Sequence, residues 1–317
     1  MKFTAAKESY IKSCTATGKS TATIASYSAT LEKFAAFIVE QGIEAAEDVR
    51  PMTIMGYIEK RSGEISATSL NLELTHLRCF FSWAEDMEII DRSPVKKSIK
   101  VEKSALREAQ NKEYDGIITD REFREIMQNS HPANTHRAQY SRNAALLMVF
   151  LTTGLRNESV RELRVGDVDF AASRIRVSAA KGNKSGYAPL TDIARVALTR
   201  YLADHPALTA DSYLFGFEKD GEWKPFSRQQ MSNTVEAAIK SYLPERTGIR
   251  SHALRHSFAS ILASHGMEDR EISLLLFHSD GTGAAVTRRY ISDDLSWLFE
   301  KVNTVFNKVA RRGIAAA

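Results

Sequence analysis

At 317 residues the chain is long enough for two domains of ordinary size, and its 43% apolar and 26% charged residues are those of a globular protein. No run approaches the ~20 apolar residues of a membrane span, and the start MKFTAAKESYIKS lacks the apolar core of a secretory signal. Two cysteines, Cys14 and Cys79, exclude a disulfide framework and a Cys-rich metal site, so a reducing, cytoplasmic setting is expected. The net charge of +4 is a weak sign of a nucleic-acid partner, and it is unevenly spread. Residues 1–113 hold 16 Lys and Arg against 16 Asp and Glu, so the surplus lies beyond them.

Taken in chain order, the first ~95 residues read as a helical module. Ile24, Tyr27, Leu31, Phe34 and Ile38 recur at three- and four-residue steps, and Gly42 follows as a stop. About 20 residues precede this helix, too few for a further arm-binding domain. A shorter helix is expected over Met52 to Lys60, and a second stripe runs through Leu70, Leu74, Leu77, Phe81 and Ala84 before Pro94 closes it. Then comes a basic stretch: Lys96, Lys97, Lys100, Lys103, Arg107 and Lys112 against Glu102 and Glu108. Such runs are usually solvated linkers. A domain boundary is expected between residues 96 and 115.

Beyond Thr119 a second domain is expected. Asp120 to Met127 reads as a helix, and Ala144 to Thr153 as an apolar helix ended by Gly154. Arg174 to Val177 alternates as a strand, and the polar turn Lys181 to Gly186 leads into Tyr187 to Leu190, which makes a hairpin. Pro189 moves its second strand to a sheet edge. Helices are expected over 192–203, 228–242, 253–265, 269–276 and 294–309.

Four short patterns carry chemistry. Arg156 follows the Gly154 stop, where its planar fork can bind a phosphate, although taken by itself a surface ion pair with Glu158 or Glu162 is the favoured reading. In His252-Ala253-Leu254-Arg255-His256, His252 and Arg255 share one helix face and can address one phosphoryl oxygen. His252 and His256 also have metal-ligand spacing, but a zinc protease helix needs Glu where Ala253 stands, and structural histidines remain open. Downstream lie His278 and then Tyr290, flanked by Arg288 and Arg289. A phenol is a poor nucleophile near neutrality unless nearby cations favour its phenolate.

The order Arg156, Lys181, His252-x-x-Arg255, His278, Tyr290 resembles the tyrosine recombinase family of phage integrases and chromosome-dimer resolvases. The resemblance covers nearly the whole chain. Thr23 to Pro94, with Phe80-Phe81-Ser82-Trp83-Ala84 near its end, is similar to that family's SAM-like core-binding domain. It implies a mainly α protein with a small β-sheet in an α+β catalytic domain. The two domains, 1–95 and 116–317, would be joined by a basic linker over 96–115 and clamp DNA in a C shape. It implies site-specific DNA recombination by strand cleavage and rejoining. Tyr290 would attack the phosphate and stay joined to its 3′ side; Arg156 and Arg255 would hold the non-bridging oxygens; Lys181, with Lys184 as fallback, would protonate the leaving 5′ oxygen. His252 would handle the nucleophile's proton, and His278 would add a hydrogen bond to the phosphate.

No cofactor or metal is implied, because cations come from side chains and the phosphotyrosyl bond retains the energy of the cut. The implied partners are double-stranded DNA with a specific recombination site, contacted by Lys96, Lys97, Lys100 and Lys103, and further copies of the chain in a tetramer on two sites. The stripe Leu295, Leu298, Val302, Val305, Val309 docks either on its own domain or on a neighbour. A prokaryotic, phage or mobile-element origin near the nucleoid would follow. Two departures from the family pattern stand out. Ser159 occupies the position of an acidic residue, with Glu158 or Glu162 as possible substitutes, and Gly281, Thr282 and Gly283 lengthen the His278–Tyr290 gap. A type IB topoisomerase shares this chemistry, although the core-binding module and the terminal helix argue against it; the two departures leave room for a DNA-binding protein without catalysis.

Overall fold

Apolar stripes at helical spacing build the first part of the chain. The computed structural model describes residues 1–106, 108, 116–128, 137–178, 186–277 and 295–311. The chain divides into two units, Met1–Glu113 and Tyr114–Ala317. In the first, α1 (Phe3–Ala16) turns Phe3, Ala6, Tyr10 and Cys14 inward. This corrects the expectation that some 20 non-helical residues lead into the first helix. Next come α2 (Thr21–Glu40), α3 (Pro51–Ser62) and α4 (Ala67–Asp86). Ser20 and Ser66 cap α2 and α4 by accepting from the backbone N–H groups of Thr23 and Ser69, three residues on.

Aromatic rings fill the centre of this unit. Phe3 and Phe80 meet edge-on with centroids 5.1 Å apart, Phe80 and Phe81 at 4.9 Å, and Phe34 and Phe81 at 5.9 Å. Val95 and Ile99 join the same core, so the start of the basic stretch is anchored to the first unit and not strung out from it. One charge lies inside. Glu73, 6% exposed, accepts from Arg61 (Nε 3.0 Å, Nη2 2.8 Å), Lys33 Nζ (3.0 Å) and the Tyr57 hydroxyl (2.9 Å).

The second unit is built around α6 (Arg137–Thr153), preceded by α5 (Asp120–Gln128). Every residue from Ala145 to Leu151 is buried, which explains why this segment reads as apolar all round. After α7 (Asn157–Glu162), the strands β1 (Val168–Asp169), β2 (Arg174–Val177) and β3 (Gly186–Pro189) form an antiparallel sheet in that order. Pro189 pairs with Arg174 on the edge strand, as its missing N–H requires. Helix α8 (Asp192–Ala203) follows, then a second hairpin of β4 (Gly216–Lys219) and β5 (Glu222–Pro225). Helices α9 (Arg228–Tyr242), α10 (Ser251–Ser264), α11 (Asp269–Leu275) and α12 (Ser296–Arg311) complete the unit.

α6 packs on α8, α9 and α10, while α12 packs on α5, α8 and β3. Leu298, Val302, Phe306 and Val309 of α12 are fully buried, and the Phe306 ring meets those of Phe123 (5.4 Å) and Phe258 (5.9 Å). Asn303 and Asn307 donate to Asp192 Oδ2 at 2.9 and 2.8 Å, and Lys301 pairs with Glu271 at 2.7 Å. The terminal helix therefore docks on its own unit. Among the described residues no helix is long and apolar enough to cross a membrane.

Candidate active site

α6 ends at Thr153, where the hydroxyls of Thr152 and Thr153 donate back to the carbonyls of Met148 and Val149 (2.7 and 2.6 Å). Gly154 then takes φ +63°, the left-handed conformation that stops a helix. A Cβ there would run into the Phe258 ring and lie 2.8 Å from Leu276 Cδ2, so the position demands glycine for space as well as for conformation. Leu155 is buried by the turn, and Arg156 emerges exposed at the head of α7. Arg156 forms no ion pair with Glu158 or Glu162 among the described residues. Glu162 instead accepts from Arg161 at 2.8 Å. The surface ion pair is thus not found among the described residues.

α10 supplies the second arginine. Leu254, Phe258 and Leu262 bury one face, as their four-residue spacing requires, and Arg255 is drawn in with them at 5% exposure. Its Nη1 donates to the Gly154 carbonyl at 2.7 Å and its Nη2 to the Leu276 carbonyl at 2.5 Å. The guanidinium is fixed by backbone from two other segments and meets no carboxylate among the described residues. Burial, reinforced by the positive charge of Arg156, pulls its pKa down from 12.5 to about 10. Arg255 remains a cation at neutral pH, and it shares a neighbourhood with a second one.

His252, one turn before Arg255 on the same helix, is exposed and meets His256 edge to face, with ring centroids 4.7 Å apart. No group of three or more His, Cys, Asp or Glu that could hold a metal occurs among the described residues. Asn157 Nδ2 donates to Ser251 Oγ (2.9 Å) and Ser232 Oγ (3.3 Å), tying the heads of α7, α9 and α10 together. No motif marks Asn157 or Ser251, because a cross-brace between chain segments leaves no local spacing. The structure thus brings Arg156 and Arg255 together, with His252 on the helix that carries Arg255.

Lys181 and its fallback Lys184 lie outside the described residues, as do His278 and Tyr290. What the structure describes are the places where the chain leaves and re-enters: Val177 and Gly186 for the hairpin, Phe277 for the segment that starts with His278. In the first unit, Lys97, Lys100 and Lys103 are exposed, while Lys96 is half-buried and donates to the Ser93 carbonyl at 2.9 Å. Arg107 and Lys112 lie outside the described residues.

The sequence pattern of the phage integrase family matches residues 117–295, more than half of the chain, and that of the phage integrase N-terminal SAM-like domain matches residues 9–88. A tyrosine recombinase of Pseudothermotoga lettingae is 25% identical over 289 residues, covering 90% of this chain and 92% of that protein. Among solved structures, the fold is similar to XerH site-specific recombinase bound to palindromic difH substrate, with TM-score 0.66, 17% identity, and 86% of this chain and 78% of that one covered. It is similar also to a lambda integrase tetramer bound to a Holliday junction, with TM-score 0.64, 18% identity, and coverage of 89% and 79%. The paired arginines, the mainly α fold with its small sheets and the two matched patterns lead to one conclusion: the chain belongs to the phage integrase family and is a tyrosine recombinase.

Proposed function

We propose that this enzyme recombines DNA at specific sites in the integration and excision mode, cutting and rejoining through a covalent 3′-phosphotyrosyl bond. The observation that carries the reading is Arg255: a buried cation fixed by two carbonyls, left without a carboxylate among the described residues, and set beside Arg156. A buried cation is repelled by a second cation beside it, and an anion between them relieves the cost. A scissile phosphate is such an anion, and its non-bridging oxygens gain charge in the transition state.

In this reading the Tyr290 oxygen attacks phosphorus, the bond to the 5′ oxygen breaks, and Lys181 protonates that oxygen as it leaves. His252 receives the tyrosine's proton, as a group titrating near neutrality can. His278 adds a hydrogen bond to the phosphate. Rejoining reverses these steps with a new 5′ hydroxyl, and neither metal nor nucleotide is consumed.

Residues 1–95 serve as the core-binding domain and 116–317 as the catalytic domain. The burial of Ile99 supports a linker proper that begins after it. Lys97, Lys100 and Lys103 contact phosphates, with Lys96 contributing less because its ammonium is engaged. Four copies assemble on two sites, through surfaces other than the buried face of α12. The work is done in the bacterial cytoplasm, on chromosomal or mobile DNA.

A nicked suicide duplex tests the reading. Wild type is expected to trap a covalent protein–DNA adduct that Tyr290→Phe does not form. A wild-type chain that binds the duplex yet yields no adduct would overturn it.

A further inference from the structure

We infer that Phe277 is a positioning residue for strand cleavage, bracing the end of α11, whose Leu276 carbonyl holds Arg255, against Gly186 at the start of β3. The inference rests on the recombinase reading above. Four non-glycine residues among those described have positive φ: Glu88, Ser173, Asp220 and Phe277. Ser173 and Asp220 stand in turns beside strands, and Glu88 is exposed. Phe277, at φ +52°, is the one with a large apolar side chain, and it stands just after the end of α11, where glycine is the usual occupant. An L side chain there crowds the following carbonyl, so something must hold the ring in place.

The holding contact comes from the sheet. A Cβ built on Gly186 would lie 2.6 Å from Phe277 Cε1, so the ring rests directly on the backbone of the first residue of β3. Gly186 has no positive φ, and its lack of a side chain therefore serves this approach alone. The neighbouring carbonyl, Leu276 O, is the one that accepts from Arg255 Nη2 at 2.5 Å, and Leu276 also closes over Gly154, two residues before Arg156. Phe277 thus meets Gly186 by its ring and adjoins Leu276, which touches both the Arg255 guanidinium and the Gly154 turn that precedes Arg156. Chain segments far apart in sequence converge on one strained residue. A ring serving only as core filler does not need a left-handed backbone. A ring that sets the Leu276 carbonyl on Arg255 does.

The test uses the full-length chain and a nicked suicide duplex carrying half-sites that wild type selects from a randomised DNA library. Single-turnover cleavage at saturating DNA and the affinity for the same duplex are measured separately. Phe277→Gly removes the ring and relieves the backbone, so a packing role predicts a loss of stability with cleavage intact. A positioning role predicts cleavage slower by about 10- to 100-fold, the scale of an ångström-sized misplacement, with affinity within about twofold. Gly186→Ala pushes a methyl group into the ring and is expected to slow cleavage as well. In the double variant the added methyl has nothing to strike, so its rate should match that of Phe277→Gly alone.

Wild-type cleavage by Phe277→Gly, or two losses that simply multiply, would overturn the inference. If the glycine variant no longer unfolds cooperatively, Phe277→Leu keeps apolar bulk without the ring and must still slow cleavage. A wild-type chain without adduct would sink the recombinase reading and this inference together. A wild-type adduct with full activity in Phe277→Gly would sink this inference only.

Discussion

Two buried charges of this enzyme, one in each unit, are treated in opposite ways. In the first, Glu73 is surrounded by Arg61, Lys33 and Tyr57, four hydrogen bonds in all, so its charge is answered from within the protein. Burial pushes the Glu73 carboxyl up, but those bonds outweigh it and hold its pKa at about 2. In the second unit, Arg255 is answered by two carbonyl dipoles and faces another cation. A closed network belongs to the architecture and its loss is felt in stability. An open one costs stability while it waits, and its loss is felt in chemistry.

The contrast breaks most sharply under paired substitutions. Arg255→Gln is expected to slow adduct formation by about 10³-fold, the upper range for removing one donor aimed at developing charge. Its effect on unfolding should be small by comparison. Carbonyls left short of a donor cost roughly 1–3 kcal/mol, but removing a buried cation returns a similar amount. Glu73→Gln is expected to do the reverse. Unfolding free energy should fall by about 3 kcal/mol, since Arg61 loses its buried partner, while cleavage by the folded fraction at saturating DNA stays near wild type. Chemical denaturation beside single-turnover cleavage reads both. If Arg255→Gln unfolds the chain, or Glu73→Gln slows cleavage, the distinction between closed and open charge does not hold.

That distinction is also where reading the sequence stops. Helices α2, α4, α8 and α9 were legible because each buries a stripe with helical period, α6 because residues 145–151 are apolar all round, and the Gly154 stop because glycine is the usual occupant of a left-handed helix end. Helix α1 was not, since Ala6, Tyr10 and Cys14 make a faint stripe, although their spacing was there to find. The β4–β5 hairpin went unread despite Asp220-Gly221 at its tip, where φ values of +56° and +76° suit that pair. Arg156 and Arg255 were picked out by family order, but their shared neighbourhood arises from Gly154 and Leu276 carbonyls that no spacing encodes. Glu73 beside Leu74 gave no hint of burial, because long-range pairing decided it.

Acid titration separates the two charges by sign. Glu73 has its folded pKa depressed from 4.5 to about 2, so its stabilisation is complete above about pH 4.5 and drains away as the pH falls toward 2. Its size at neutral pH is on the order of 3 kcal/mol. Arg255 is also depressed, but as a base: its cost is present at neutral pH and fades only as the pH rises through about 10. Wild type should therefore lose thermal stability between pH 4.5 and 2 more steeply than Glu73→Gln. Parallel curves for the two proteins would show that the network is not what acid breaks.

The smallest effects belong to the basic stretch, which carries charge without burying it. Lys97 and Lys100 are exposed, whereas Lys96 already donates to the Ser93 carbonyl. If Lys97 and Lys100 each neutralise one phosphate, replacing either with Gln should weaken DNA binding for cognate and random duplexes alike and lower the slope of log affinity against log salt by about 1. Cleavage at saturating DNA should not change. Lys96→Gln should move the slope less, because its ammonium is held by the chain. An equal slope change at Lys96, or a slower cut at saturation in any of the three, would mean that these lysines reach beyond affinity into the open-charge chemistry of the second unit.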